Sequence, residues 1–546
     1  MLIPLNWPLH KPQIFLLLLF FTAYHSYAQT SFRKLNGGNN FDYGHSVIET
    51  PDAGICIAGS TNSFGSGNDD VYIIKLDSNF NQQWSKTFDW GLREYGLSIT
   101  ATRDGGYAVT GYAQKSILSD SAWDAFLLKL DASGNIIWSR SIGGLKEDDS
   151  YALIETKTGD LIIAGSTTSF GDGQHDIYIN KYSSNGDLIW SKTLGTSRED
   201  IAYSITATHN GFAIAGAASG FKPFIAKCDM DGNVIWSEIV AADSLMTGAF
   251  TSVIQTADNG FALTGYTKTT NQDFDLWCVL ITGSGKIKWC GTIGNAGDDK
   301  GYSIAQDSTG NFVIAGYVNY NRRGFAQNLY VVKISNTANP LWNKTITEQS
   351  EASGASVMIW KERAYIVAGS AWQTPDNILY KPDIYLAAFD TAGKICGYTS
   401  VENKMHMVKP YISILNFDTT TGDTDKTITV TSYNGGEFFN TCTGSFSMQE
   451  NKIENKALAK LPAMEAVIMP NPVTNGILNL HVKNISGNTQ FTITDMQGKV
   501  MLVKRLNLSA IPESVIINIA QLPAGIYILK INNAYAQQPF KFIKTE

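Results

Sequence analysis

The chain is poor in the residues that usually announce chemistry. It has six cysteines in 546 residues and no Cys-x-x-Cys, which excludes a disulfide-stapled scaffold and a thiolate metal centre. Beyond residue 28 the histidines His45, His175, His209, His406 and His481 stand far apart. His-Glu-x-x-His, Gly-x-Ser-x-Gly and a Walker loop are all missing. Charge is sparse at 17%, with 42 Lys+Arg against 49 Asp+Glu and no basic block, so the footprint of a nucleic-acid binder is absent. The strongly apolar run Ile14–Phe21 is far shorter than the ~20 residues needed to span a bilayer, and no later stretch is longer, so no transmembrane anchor is expected. Proline is scarce at 15 while glycine reaches 49, a profile of many tight turns. Hydrophobic residues at 44% suit an ordered globular protein, and this length exceeds the ~100–200 residues of one domain several times over.

Residues 1–28 have the layout of a signal peptide. Lys11 supplies a positive start, Ile14–Phe21 an apolar stretch, and Ser26-Tyr27-Ala28 places small residues third and first before a cut ahead of Gln29. An exported chain tolerates disulfides, and Cys278 and Cys290 flank the turn Gly283-Ser284-Gly285 symmetrically. If that turn closes a hairpin, they face each other as a candidate disulfide; the alternative is two half-buried thiols.

Self-similarity dominates the rest. The segment GYAVTGY at 106–112 recurs as GICIAGS, DLIIAGS, GFAIAGA, GFALTGY, NFVIAGY and AYIVAGS. Its glycine falls at Gly59, Gly111, Gly165, Gly216, Gly265, Gly316 and Gly369. A tryptophan follows a tight turn at Trp84, Trp138, Trp190, Trp236, Trp289 and Trp342. Each copy holds four short runs rich in β-branched and aromatic residues, separated by turn chemistry. Four-stranded sheets repeated radially make a β-propeller, so residues 30–397 are expected to form an all-β, seven-bladed propeller rather than a β-solenoid. Ser31–Leu35 resembles an outermost strand lacking its own first three, which makes it the expected clasp of the seventh blade; the segment 393–399 is the alternative.

Residues 398–463 read as a connector and 464–546 as a small all-β domain with an Ig-like sandwich expected. In that domain MPNPVTNGILNLHV, TDMQGKVM, LPAGIYILKI and the closing Lys541-Phe542-Ile543-Lys544 resemble the C-terminal sorting domain of the type IX secretion system. The resemblance implies a Bacteroidota source, passage to the outer cell surface and the secretion machinery as partner through 464–546. The propeller copies are similar to a repeat of secreted bacterial β-propellers, which implies a fold and no reaction.

Positions shared by the copies are read first as structural. They include the acids Asp42, Glu94, Asp149, Asp200 and Asp299 ahead of the first strand, Asp70, Asp124, Asp176, Asp275 and Asp383 ahead of the third, and Lys75, Lys129, Lys181, Lys227 and Lys333. The tryptophans are expected between blades. No catalytic residue, resident metal or cofactor is expected; the acidic loops 171–176 and 418–425 are weak calcium candidates without the EF-hand layout. Loops joining second to third strands are long and differ between copies, and variable loops on a rigid scaffold are where binding concentrates. They carry Trp123, Tyr320, Arg322, Arg323, Trp372 and Tyr380, aromatic and basic groups suited to a glycan or an extended peptide. The expectation is a secreted binding or scaffold module. The alternatives are a carbohydrate-active hydrolase or lyase using funnel carboxylates, with Glu147 beside Asp148 and Asp298 beside Asp299 as local surpluses, and an adhesion or surface-layer component.

Overall fold

In a computed structural model of the protein, residues 31–395 are described except 67, 115–122, 242–246, 269–272, 295–296, 320–326, 347–351 and 374–380. Short strands between 405 and 444 and most of 465–545 are described as well. The chain divides into two compact units, 1–447 and 448–546.

The first unit is a seven-bladed propeller. Each repeat forms one antiparallel sheet in chain order, as in blade two: Glu94–Ala101, Tyr107–Gln114, Trp123–Leu130 and Ile136–Ile142. Strands two and three are buried on both faces because each sheet packs between two others, which explains runs such as DVYIIKL with no polar alternation. First strands of successive blades touch one another around the centre. In every blade the ladder between strands one and two slips by one residue. The extra residue is His45, Leu97, Tyr151, Tyr203, Thr251, Tyr302 or Ala355, and such bulges re-aim a side chain. A serine one position later accepts an amide hydrogen from the next blade: Ser204 Oγ from Val253 at 3.1 Å, Ser303 Oγ from Val357 at 3.0 Å. Ser356 Oγ accepts the Val47 amide at 3.2 Å, which joins blade seven back to blade one.

The seventh blade is completed by the chain's beginning. Ser31–Asn36 pairs antiparallel with Lys381–Asp390, placing Phe32 opposite Ala388 and Leu35 opposite Tyr385. Residues 405–444, read from sequence as a connector, contribute six short strands. Met405–Met407, Tyr411–Ile414, Asp418–Thr420, Asp425–Thr427 and Thr431–Asn434 add a fifth strand to blades five, four, three, two and one in turn. Phe438–Gly444 then pairs with Ser31–Asn36 on blade seven. The segment therefore runs backwards around the ring, covering outer edges that would otherwise present unpaired amides and carbonyls.

The second unit is a two-sheet sandwich. Glu465–Ile468, Ile477–Lys483 and Glu513–Asn518 form one sheet; Val500–Leu508, Gly487–Asp495, Gly525–Asn532 and Gln537–Lys544 form the other. Leu478, Leu480, Phe491, Ile493, Val515, Ile517, Leu529 and Ile531 fill the space between them.

Cys278 and Cys290 form no disulfide. Their strands pair, but a bulge after Leu280 shifts the register so that Cys278 stands opposite Gly291 and Cys290 opposite Val279. The two thiols project to opposite faces of the sheet, into different cores.

Candidate functional site

Most repeated polar residues serve the scaffold. Asp42 at the head of a first strand accepts hydrogen bonds from Thr61 Oγ1, from Ser63 Oγ at 2.6 Å and from the Gly38 amide at 2.8 Å. Asp148 takes the matching set from Thr167, Ser169 and Gly144. The register therefore assigns the repeated position in blade three to Asp148 and not to Asp149: Asp148 stands opposite Thr167 as Asp42 stands opposite Thr61. The spacing rule failed there because two adjacent acids each precede an apolar residue by five positions.

The repeated lysines tie third strands to the first turn of their own blades. Lys75 reaches Asp52 at 2.8 Å, Lys129 reaches Asp104 at 2.8 Å and Lys333 reaches Asp307 at 2.8 Å. Asp52 gains charge from these bonds: burial works against it, but the Lys75 and Thr50 hydrogen bonds hold its carboxyl down to about 2. The tryptophans dock on the neighbouring blade, with Trp138 Nε1 donating to Ser184 O at 3.1 Å and Trp289 Nε1 to Asn336 O at 2.8 Å. Gly134 adopts φ 73°, and a methyl there would sit 2.9 Å from the Trp84 ring, so that turn needs glycine twice over.

With these set aside, one group of side chains stands out at the mouth of blades two and three. Tyr95, Tyr112, Trp123, Glu147, Asp149 and Tyr151 line a cavity of about 300 Å³. The elements explain the convergence: Tyr95, Asp149 and Tyr151 open first strands, Tyr112 lies near the end of a second strand, and Trp123 begins a third. The aromatic wall is continuous, with ring centroids 5.2 Å apart for Tyr95 and Tyr112, 5.3 Å for Tyr112 and Trp123, and 5.9 Å for Tyr95 and Trp123. Tyr95 OH is anchored on Asp69 at 2.6 Å. Tyr151 OH donates to Asp149 at 3.1 Å, and its ring lies 5.3 Å from Tyr203.

The opposite wall is acidic. His175 Nδ1 lies 2.6 Å from Glu199, and its Nε2 3.9 Å from Glu147. Burial, reinforced by the charge of Glu147, pushes the Asp149 carboxyl up to about 6. Aromatic groups continue into blades five and six, where Lys300 Nζ stands 4.3 Å from the Tyr266 ring and 5.0 Å from that of Phe274. On this face the cavity combines flat apolar surfaces with carboxylate acceptors.

Of the sequence candidates, Trp123 belongs to this cavity. Trp372 is half-buried near the end of Ala364–Gln373 in blade seven, two blades away from Trp123 in ring order. Tyr320, Arg322, Arg323 and Tyr380 lie outside the described residues. Of the two calcium candidates, 171–176 lies within the described residues, while 421–424 of 418–425 lie outside them. Asp176 accepts the Gly173 amide at 3.0 Å and fills the space beside Gly195, while Asp418 and Asp425 pair with different blades, three and two. Tyr95, Tyr112, Asp149 and Tyr151 were missed because they sit on strands and not in the variable loops. Comparing the copies at the bulge and two residues before it would have found Tyr95, Asp149 and Tyr151, and comparing the residue after the repeated glycine would have found Tyr112.

Comparison with known proteins bears on the second unit above all. Residues 467–545 match the family of secretion system C-terminal sorting domains. This region is a type IX sorting domain. The chain is thereby directed to secretion and display at the cell surface, and no helix among the described residues is long and apolar enough to cross a membrane. Regulatory protein FlaEY of Caulobacter vibrioides is 24% identical over 234 residues, which cover 38% of this chain and 24% of FlaEY, so the chain spans only a quarter of that relative. Sqt1 from Chaetomium thermophilum aligns over 66% of this chain and 98% of its own at 10% identity, with a TM-score of 0.40. PorZ, a surface component of the type IX secretion system of Porphyromonas gingivalis, aligns over 94% and 100% at 10% identity, with a TM-score of 0.17. The blade count rests on the strand order and not on these likenesses.

Proposed function

We propose that the chain is a surface-displayed binding module that seats a glycan in the cavity at the mouth of blades two and three. The observation that carries this reading is the continuous wall of Tyr95, Tyr112 and Trp123 facing Glu147 and Asp149. Aromatic faces stack on the C–H faces of sugar rings, and carboxylates accept hydrogen bonds from hydroxyls. At about 300 Å³ the cavity is at the small end for ligand pockets, so it takes the end or one link of a chain. A thermal-shift screen of the full chain against neutral and acidic oligosaccharides tests it. An oligosaccharide is expected to raise the midpoint, and Trp123→Ala to weaken binding by about 2 kcal/mol, roughly thirty-fold in Kd. No shift with any glycan, or equal affinity in Trp123→Ala, would sink the idea.

A second reading has one specific observation behind it. A carboxyl raised to about 6 next to another acid is the pairing that general acid–base hydrolysis uses. Chromatography of each stabilising oligosaccharide after incubation separates the readings. New product that disappears in Asp149→Asn would make the module a hydrolase, whereas unchanged sugar leaves it a binder.

A further inference from the structure

The propeller supplies internal controls for one unusual junction. Five residues ahead of a first-strand acid the chain carries Gly37, Gly143, Gly195 and Gly294. A methyl on Gly143 would lie 2.1 Å from Asp124 Oδ1 and 2.6 Å from Asp148 Oδ2. One on Gly294 would lie 1.9 Å from Asp275 Oδ1 and 2.9 Å from Asp299 Oδ2. At these junctions two carboxylates close on a bare glycine, and the first-strand acid has hydroxyl or amide donors, as described for Asp42 and Asp148.

Between blades one and two this pattern breaks in three ways. The glycine is replaced by Asp89, and the first-strand acid is lengthened to Glu94. Opposite Glu94 stands Ala113, where Thr61 and Thr167 stand opposite Asp42 and Asp148. A third carboxylate is added just where a hydroxyl donor is withdrawn. One oxygen from each of Asp70, Asp89 and Glu94 lies within 4.8 Å of the others. Asp70 and Glu94 are 0% exposed and Asp89 is 8% exposed. Asp70 accepts Ser66 N at 2.9 Å and Ser66 Oγ at 3.3 Å, Asp89 accepts Gly91 N at 2.5 Å, and Glu94 accepts Leu92 N at 3.3 Å and the Trp90 backbone amide.

Two buried oxygens here point to a missing ligand. Glu94 Oε2 has no hydrogen-bond partner, and neither has Thr87 Oγ1. Thr87 Oγ1 belongs to the same cluster, since the space beside Gly65 is bounded by Asp70 Oδ2 at 1.9 Å and Thr87 Oγ1 at 3.2 Å. Leaving a carboxylate oxygen buried and unpaired is costly, and a cluster of three is costlier because like charges repel.

We propose that the junction of blades one and two is a binding site for a single calcium ion, held by Asp70, Asp89 and Glu94 with Thr87 Oγ1 beside them. All donors are oxygen, which selects a hard cation over zinc or copper. The three oxygens lie within 4.8 Å of one another, close enough to share one ion, and a buried cage made wholly of protein oxygens favours calcium, since magnesium keeps several of its waters. The ion would join the third and fourth strands of blade one to the first strand of blade two. It would also brace the cavity at the mouth of blades two and three from behind, because Asp69 and Tyr95 are chain neighbours of the ligands Asp70 and Glu94 and are bonded to each other.

The test uses the purified full chain and calcium itself. After dialysis against chelator and then against calcium, elemental analysis is expected to find about one ion retained per chain. Calcium should raise the thermal midpoint by several degrees, magnesium by much less. Asp89→Gly restores the residue of the sister junctions, so it should fold, lose the retained ion and lose the calcium-dependent rise. Asp89→Asn serves the same purpose if the glycine variant is unstable. Equal calcium retention and an equal midpoint rise in wild type and both variants would overturn the proposal. So would a wild-type chain that retains no calcium, or one that responds to magnesium and not to calcium.

Discussion

Asp149 shows how one departure from a repeat places a buried carboxyl in the wall of the cavity. Its counterparts two residues before the bulge are Tyr43, Tyr95, Ile201, Ala249, Lys300 and Ser353, none of them acidic. Burial raises its pKa most, Glu147 and Asp148 add to the rise, and His175 and the Tyr151 hydroxyl oppose it. With a folded-state value of about 6 against an ordinary 3.8, the native chain binds a proton that the unfolded chain has already lost. The sign follows: this group's contribution to stability is fully present below pH ~4 and is lost as the pH rises through about 6. Asp149→Asn removes that dependence. Urea unfolding between pH 4 and 7 should therefore show the variant gaining on wild type as pH rises, by on the order of 1–2 kcal/mol once partial solvent access is allowed for. Parallel curves for the two proteins would refute the assignment. The acid itself was visible in the sequence, but its role was not, because the five-residue spacing fits Asp148 and Asp149 equally. Only the ladder slip at Ser150–Ala152 separates them.

Within a blade the same economy appears as a tether. Lys129 is 3% exposed and donates to Thr102 Oγ1 at 2.9 Å, to Asp104 at 2.9 Å and to the Leu130 carbonyl at 3.3 Å. Asp104, its partner, is more than half exposed. The two ends of this bond should therefore fail differently. Asp104→Ala strands a buried ammonium and is expected to cost about 2–4 kcal/mol, whereas Lys129→Met replaces the cation with a shape-matched apolar chain and should cost about 1–2 kcal/mol. Chemical denaturation of both variants measures the difference; an Asp104→Ala chain as stable as Lys129→Met would contradict it. At this scale the sequence was highly legible. Strand runs, turn residues and inter-blade tryptophans follow from β-branched and aromatic runs and glycine placement, all local signals. What stayed hidden was register: the bulge that parts Cys278 from Cys290 costs one residue and leaves no compositional trace.

For the whole molecule, long-range pairing decides what the chain can do without. Seven copies of a fifty-odd-residue unit foretold the ring, and the incomplete first copy foretold its clasp at Ser31–Asn36. The strands at 405–444 gave no such warning, since several are only three or four residues long and acquire strand character by pairing with an outer edge. The last 99 positions, 448–546, make their own contacts and core, which predicts independence of folding from address. A chain ending at residue 447 should keep the propeller's thermal midpoint within a degree or two yet fail to reach the cell surface, as read by protease shaving of intact cells. A chain ending at residue 397 also loses the strands that cover six blades. It is expected to unfold earlier and to aggregate through exposed strand edges, as light scattering during a thermal ramp would record. If the 397 and 447 chains melt alike and stay equally monomeric, the outer strands do not hold the ring. If the 447 chain is displayed normally, the sorting domain is not what carries it there.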